Sequence, residues 1–144
     1  MARAEHVQIC EAPAQACFDA MADLERYPSW QRAVKAVTVR ERDEQGRPAL
    51  VEFVTDAKIR EVRYTVRYQY DPAKRIWFDY VEGDAKTVSG EITFTPQGDG
   101  RTSVRYALEV DAGGRLVPGA IKQSLADQAV ESTLRKLCER VGSG

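Results

Sequence analysis

Three features of the sequence predict an α+β fold: one helical stripe near the start, a long middle stretch alternating with period two, and one long helical segment at the end. The sheet so predicted has a single apolar face. Only the last helix is long enough to cover that face, so the sheet is expected to curl around it.

The first element is a short strand over His6 to Glu11, with Val7 and Ile9 on the inward parity and Ala12-Pro13 closing the run at a helix start. On that assignment His6, Gln8 and Cys10 face solvent. Ala14, Cys17, Phe18 and Met21 then fall at i, i+3, i+4 and i+7, which is one buried helical stripe. In ADLERYPSW, Asp23 is placed to cap a brief second helix and Pro28 to end it, with Tyr27 and Trp30 on either side of the proline.

From about Ala33 to Asp111, turn signals recur at DEQGRP, TDAK, DPAK, EGDAK and PQGDGR, which predicts six strands joined as a meander. The alternation is clearest in Ile59 to Tyr70, where Val62, Tyr64, Val66, Tyr68 and Tyr70 share one parity and charged or polar residues the other. Val88, Gly90, Ile92 and Phe94 repeat the pattern, as do Val104, Tyr106, Leu108 and Val110. In Arg75 to Glu82, Ile76, Phe78 and Tyr80 are assigned inward, with Trp77 on the other face unless a bulge re-aims it. Gly90 marks a bulge that curves the sheet or a close approach of the helix or a ligand to bare backbone, curvature being the preferred reading.

The final helix is predicted over Pro118 to Val141; at about 1.5 Å of rise per residue it spans about 36 Å. Its stripe runs through Ile121, Leu125 and Ala129, then shifts to Val130, Leu134, Leu137 and Val141, which predicts a bent helix. Leu125, Ala129 and Val130 stand at the shift and are expected to line the space between helix and sheet.

The chain is 144 residues, 43% hydrophobic and 30% charged, ordinary for one globular domain spanning 1–144. Its 21 basic and 22 acidic residues leave no basic footprint for nucleic acid or an anionic membrane. No apolar run is long enough to span a bilayer, so stable membrane insertion is not expected. MARAEHVQIC lacks the apolar stretch of a signal peptide, and a cytoplasmic location is expected. Cys10, Cys17 and Cys138 have no CxxC spacing and read as small buried thiols rather than a disulfide framework. With His6 as the single histidine, neither a metal site nor a Ser-His or Cys-His catalytic pair is expected. No GxGxxG, P-loop, HExxH, GxSxG or EF-hand pattern occurs, and no cofactor is expected.

The opening IxxAPAxxxF (Ile9, Ala12, Pro13, Ala14, Phe18), the segment Ala22 to Trp30, the GEITF strand (Gly90 to Phe94) and Val117-Pro118 before the last helix resemble the START-like (SRPBCC) superfamily. The branch they are most similar to is that of polyketide cyclases/dehydrases and coenzyme Q-binding-like proteins. The resemblance implies a helix-grip fold, a seven-stranded antiparallel sheet around the C-terminal helix with an apolar cavity between them. Its members include lipid and quinone carriers and polyketide cyclases, and no acid-base residue of the cyclases maps by motif onto this chain.

The inward tyrosines Tyr64, Tyr68, Tyr70 and Tyr106 offer aromatic walls, each with one hydroxyl, suited to a largely apolar ligand carrying a few oxygens, and Tyr64, Tyr68 and Tyr106 of these are taken as ligand contacts. With Tyr27, Trp30, Phe78, Tyr80, Phe94, Leu125 and Ala129 they form the expected ligand-binding set; no catalytic residue is assigned. The expected function is binding or transport of a lipid, isoprenoid quinone or aromatic polyketide. A polyketide cyclase/aromatase using the same cavity is the enzyme alternative, weakened by the lack of an inward histidine. A protein-interaction module is the third, with no surface or partner singled out.

Overall fold

In the computed structural model, which describes residues 2–56, 61–111 and 119–142, seven antiparallel strands form one sheet in the order β1-β7-β6-β5-β4-β3-β2. β1 (Ala2–Cys10) leads into α1 (Ala14–Ala22), a 3-10 turn (Leu24–Arg26) and α2 (Tyr27–Trp30). The meander follows as β2 (Val34–Arg42), β3 (Pro48–Asp56), β4 (Glu61–Asp71), β5 (Arg75–Gly83), β6 (Thr87–Gly98) and β7 (Arg101–Asp111), and α3 (Gly119–Gly142) closes the chain. The Val117-Pro118 pair lies outside the described residues.

The middle strands keep the expected parity: Val62, Val66, Tyr68, Ile76, Phe78, Val88, Ile92, Phe94 and Val104 are all buried. Trp77 faces outward, its ring 4.2 Å from the Arg75 guanidinium, so no bulge turns it inward. Register shifts between β2 and β3 and at Thr65/Val66 of β4 help curve the sheet around the helix. Gly83 serves the same turn. At φ +137° a Cβ there would stand 2.5 Å from Arg63 O and Tyr64 Cα, so only glycine fits.

Several expectations are corrected. β1 is longer than expected and has the opposite parity: Ala2, Ala4 and Cys10 are buried, His6 is half-buried opposite Tyr106, and Val7 and Ile9 are 51% and 49% exposed. The cause is α3, which packs along β1 so closely that the inner face takes alanines; Ala2 and Ala4 meet Ala126 and Val130. Val130 therefore packs on the strand instead of lining open space, and Ile121 is 44% exposed. Asp23 makes no side-chain cap; its carboxylate pairs with Arg26 at 3.0 Å. Pro28 sits in the first turn of α2, where its missing N–H costs no bond, rather than ending the helix.

Cys10 and Cys138 form a disulfide between the end of β1 and the last turns of α3, with Cα atoms 4.7 Å apart. They are 128 residues apart in sequence, and only the fold brings them together. Cys17 is the buried free thiol that the helical stripe predicted. α1 closes the end of the layer: Phe18 stands edge-on to Phe94 at 5.8 Å and to Tyr70 at 6.2 Å, with Leu134 and Leu137 in the same core. Each such side chain contributes about 1.5–3 kcal/mol by leaving water.

Candidate functional site

Between α3 and the inner face of the sheet the packing is incomplete, leaving a cavity of about 470 Å³. Its volume lies within the range of about 300–1,000 Å³ common to small-molecule sites. β3, β4 and β5 supply an aromatic wall. Tyr68 stacks on Phe78 at 5.0 Å, Phe53 stacks on Tyr64 at 5.7 Å, and Tyr27 reaches Phe53 at 6.4 Å. Opposite them α3 presents Lys122, Leu125, Ala126, Ala129, Ser132, Thr133 and Lys136, a face set by the three- and four-residue steps of the helix.

Of the ten residues expected from the sequence, Tyr27, Tyr64, Tyr68, Phe78, Tyr106, Leu125 and Ala129 line this cavity. Trp30, Tyr80 and Phe94 do not. Trp30 packs against the outside of Tyr27 at 5.1 Å, and its indole N–H has no partner among the described residues. Tyr80 donates its hydroxyl to Ala85 O at 2.5 Å, which ties it to the neighbouring turn. Phe94 packs on Phe18 in the closed end of the core. Inward parity selects residues on the right face, but position along the strand decides whether they meet cavity or core.

Sequence reasoning missed Phe53, Gln31 and the polar residues of α3. Phe53 shares the inward parity of Val51 on β3 and was legible from that pair. Gln31 carried no such signal. It is 5% exposed and donates Nε2 to Thr133 Oγ1 at 2.9 Å and to Ser132 Oγ at 3.4 Å; its Oε1 accepts from Ala33 N at 3.3 Å and from Lys136 Nζ at 3.4 Å. It ties the α2 corner to α3 at one end of the cavity.

The tyrosines divide by what their hydroxyls meet. Tyr27 donates to Met21 O and Tyr70 to Pro48 O at 2.7 Å, both structural bonds. Among the described residues the hydroxyls of Tyr68 and Tyr106 have no hydrogen-bond partner, yet neither oxygen is shut off from the cavity space. Burial pushes Tyr64, Tyr68 and Tyr106 above the ordinary phenol range, so at neutral pH all three are proton donors. A second depression, on the outer face at Trp77, Gly90 and Glu91, is ringed by charges that pair with one another, Arg3 with Glu109 and Arg75 with Glu91.

Residues 10–138 match the family profile described as polyketide cyclase/dehydrase and lipid transport. The chain belongs to that family. Its fold is START-like. A START superfamily protein from Mycobacterium smegmatis superposes with a TM-score of 0.87 at 21% identity, covering 98% of this chain and 97% of the other. A protein from Thermus thermophilus gives 0.84 at 25% identity, covering 96% of each chain. An aromatase/cyclase from Streptomyces sp. R1128 gives 0.81 at 19% identity, covering 96% of this chain and 92% of that one. No curated protein sequence matches the chain. The family description thus spans cyclisation or dehydration and lipid transport, and a shared fold does not choose between them.

No described helix is long and apolar enough to cross a membrane, and the described residues contain no cluster of three or more metal-ligating side chains.

Proposed function

We propose that this family member binds a small, mostly apolar molecule bearing oxygen atoms, of the lipid, isoprenoid quinone or aromatic polyketide kind, between α3 and the sheet. One observation carries the reading: Tyr68 and Tyr106 bring hydroxyls to the cavity that no described protein group satisfies, inside an aromatic and aliphatic wall. A ligand oxygen completes those bonds, and the apolar body of the ligand replaces water on the rings. Tyr27, Tyr64, Phe78, Leu125 and Ala129 supply the apolar contacts.

Binding is favoured over cyclisation because the phenols at the cavity are held protonated, so they donate hydrogen bonds but are poor bases near neutrality. We take the chain as one ligand-binding domain. Organic extraction of purified protein followed by mass spectrometry tests the reading. An apolar, oxygen-bearing molecule in near-stoichiometric amount is expected. Empty protein that also fails to bind an apolar fluorescent probe overturns it.

A further inference from the structure

We propose that the cavity selects a ligand with a carboxylate at one end, held by Lys136 and Arg32 at the Gln31 corner. This rests on the apolar-cavity reading and adds the charge of the ligand. Lys136 lies on the cavity face of α3, half-buried, with its Nζ at 3.4 Å from Gln31 Oε1. Gln31 is itself buried and anchored to Thr133, so the ammonium is held at the cavity instead of trailing into solvent.

An ammonium has three N–H donors, and the Gln31 contact uses one. Among the described residues neither Lys136 nor Arg32 is in an ion pair, whereas Arg3, Arg40, Arg42, Arg63, Arg75 and Arg105 all are. The described lining holds three cations, Arg32, Lys122 and Lys136, against one carboxylate, Asp56, which is exposed at the end of β3. A half-buried cation in a largely apolar cavity has lost part of its hydration, and an entering anion replaces it. Lys122 stands fourteen residues before Lys136 on the helix, about 21 Å at about 1.5 Å per residue, so it serves a different part of the space. Lys136, half-buried, is the principal partner of a monoanion, and Arg32, exposed at the edge of the cavity next to Gln31 in sequence, adds a second positive charge there.

Pyrenebutyric acid, pyrenebutanol and pyrenebutylamine share ring and chain and differ in head-group charge. Fluorescence anisotropy titrations of the three against the unaltered protein are expected to rank acid, alcohol, amine, with the acid about tenfold tighter than the alcohol, the scale of one charge-assisted hydrogen bond. In Lys136→Met with Arg32→Gln the acid-to-alcohol ratio is expected to fall close to one, and Lys136→Glu to place the amine above the acid. Thermal melts report whether each variant folds, and the ranking in the unaltered protein stands without them. Equal affinity of acid and alcohol, or an acid preference that survives the double substitution in folded protein, overturns the carboxylate site and leaves the apolar cavity intact. If no probe binds, the alcohol included, the apolar-cavity reading fails and this inference with it.

Discussion

Phe78 lies against the bare backbone of Gly90, its partner across β5 and β6: a Cβ built on Gly90 would stand 2.6 Å from Phe78 Cζ. The group that comes close to this glycine is a side chain of the neighbouring strand, not the helix or a ligand as one expectation had it, and the β5–β6 pairing runs to Gly90 without a register shift. The same ring stacks on Tyr68 and forms part of the cavity wall. Gly90 thus sets how deep the wall is.

Gly90→Ala should push the Phe78 ring toward the cavity, because Ala107 O, 3.1 Å from the same Cβ position, blocks retreat along the backbone. Overpacking of this kind costs about 1–3 kcal/mol. The urea midpoint should fall, and the affinity for a pyrene-sized probe should fall more than that for a single-ring probe. Equal affinities for both probes in the variant and the parent would separate Gly90 from the cavity.

The Cys10–Cys138 disulfide closes a loop over nearly the whole chain. Cross-links of this kind stabilise by about 2–4 kcal/mol, chiefly by restricting the unfolded chain. Dithiothreitol should lower the urea midpoint accordingly. Cys138→Ser should show the same loss without reductant and no further loss with it, while Cys17→Ser should retain the reductant response, since Cys17 is the free thiol.

The sheet was legible because its strands obey one rule: on β4, Val62, Tyr64, Val66, Tyr68 and Tyr70 alternate with charged or polar neighbours, and the fold keeps that parity. β1 broke the rule at its edge. The residues under a closely packed helix must be small, so Ala2 and Ala4 took the inside and Val7 and Ile9 the outside, the reverse of what hydrophobicity alone suggests. The cavity was legible in its aromatic wall for the same reason as the sheet. Gln31 and Lys136 were not legible, because a polar residue is held in a cavity by partners distant in sequence, here Thr133 and Gln31 itself. Tyr80 and Phe94 lie off the cavity because parity fixes a face and says nothing about which part of that face α1 and α3 fill, whereas Trp30, expected from its place beside Pro28, packs on Tyr27 away from the cavity lining.

Alkaline pH should destabilise the protein through its buried phenols. Tyr27, Tyr64, Tyr68 and Tyr106 are raised above the ordinary phenol value of 10.0, burial being the first cause in each. Folded protein therefore holds protons that the unfolded chain releases once pH passes about 10, and stability, complete below that point, falls as pH climbs toward the folded values. Urea midpoints from pH 8 to pH 11 should be flat in their lower part and decline above about pH 10. Tyrosinate absorbance should rise with unfolding. A smooth titration of all the tyrosines in folded protein near pH 10 would remove the effect.

Tyr68 and Tyr70 are stacked two residues apart on β4, at 6.0 Å, yet their hydroxyls have opposite circumstances. That of Tyr70 donates to Pro48 O, while that of Tyr68 has no described protein partner and borders the cavity. Tyr70→Phe deletes a bond inside the fold, so it should cost about 0.5–1.5 kcal/mol of stability and leave ligand discrimination alone. Tyr68→Phe removes a hydroxyl that the folded protein does not itself use, so stability should hold or rise slightly. Its effect should instead appear in binding: a quinone should lose about 0.5–1.5 kcal/mol of affinity, the net scale of one hydrogen bond, while a hydrocarbon probe of the same size keeps its own. Paired urea melts and titrations with both ligands make the comparison. A loss of stability in Tyr68→Phe equal to that in Tyr70→Phe would mean the Tyr68 hydroxyl is bonded within the protein, and an equal loss for quinone and hydrocarbon would reduce Tyr68 to a packing ring.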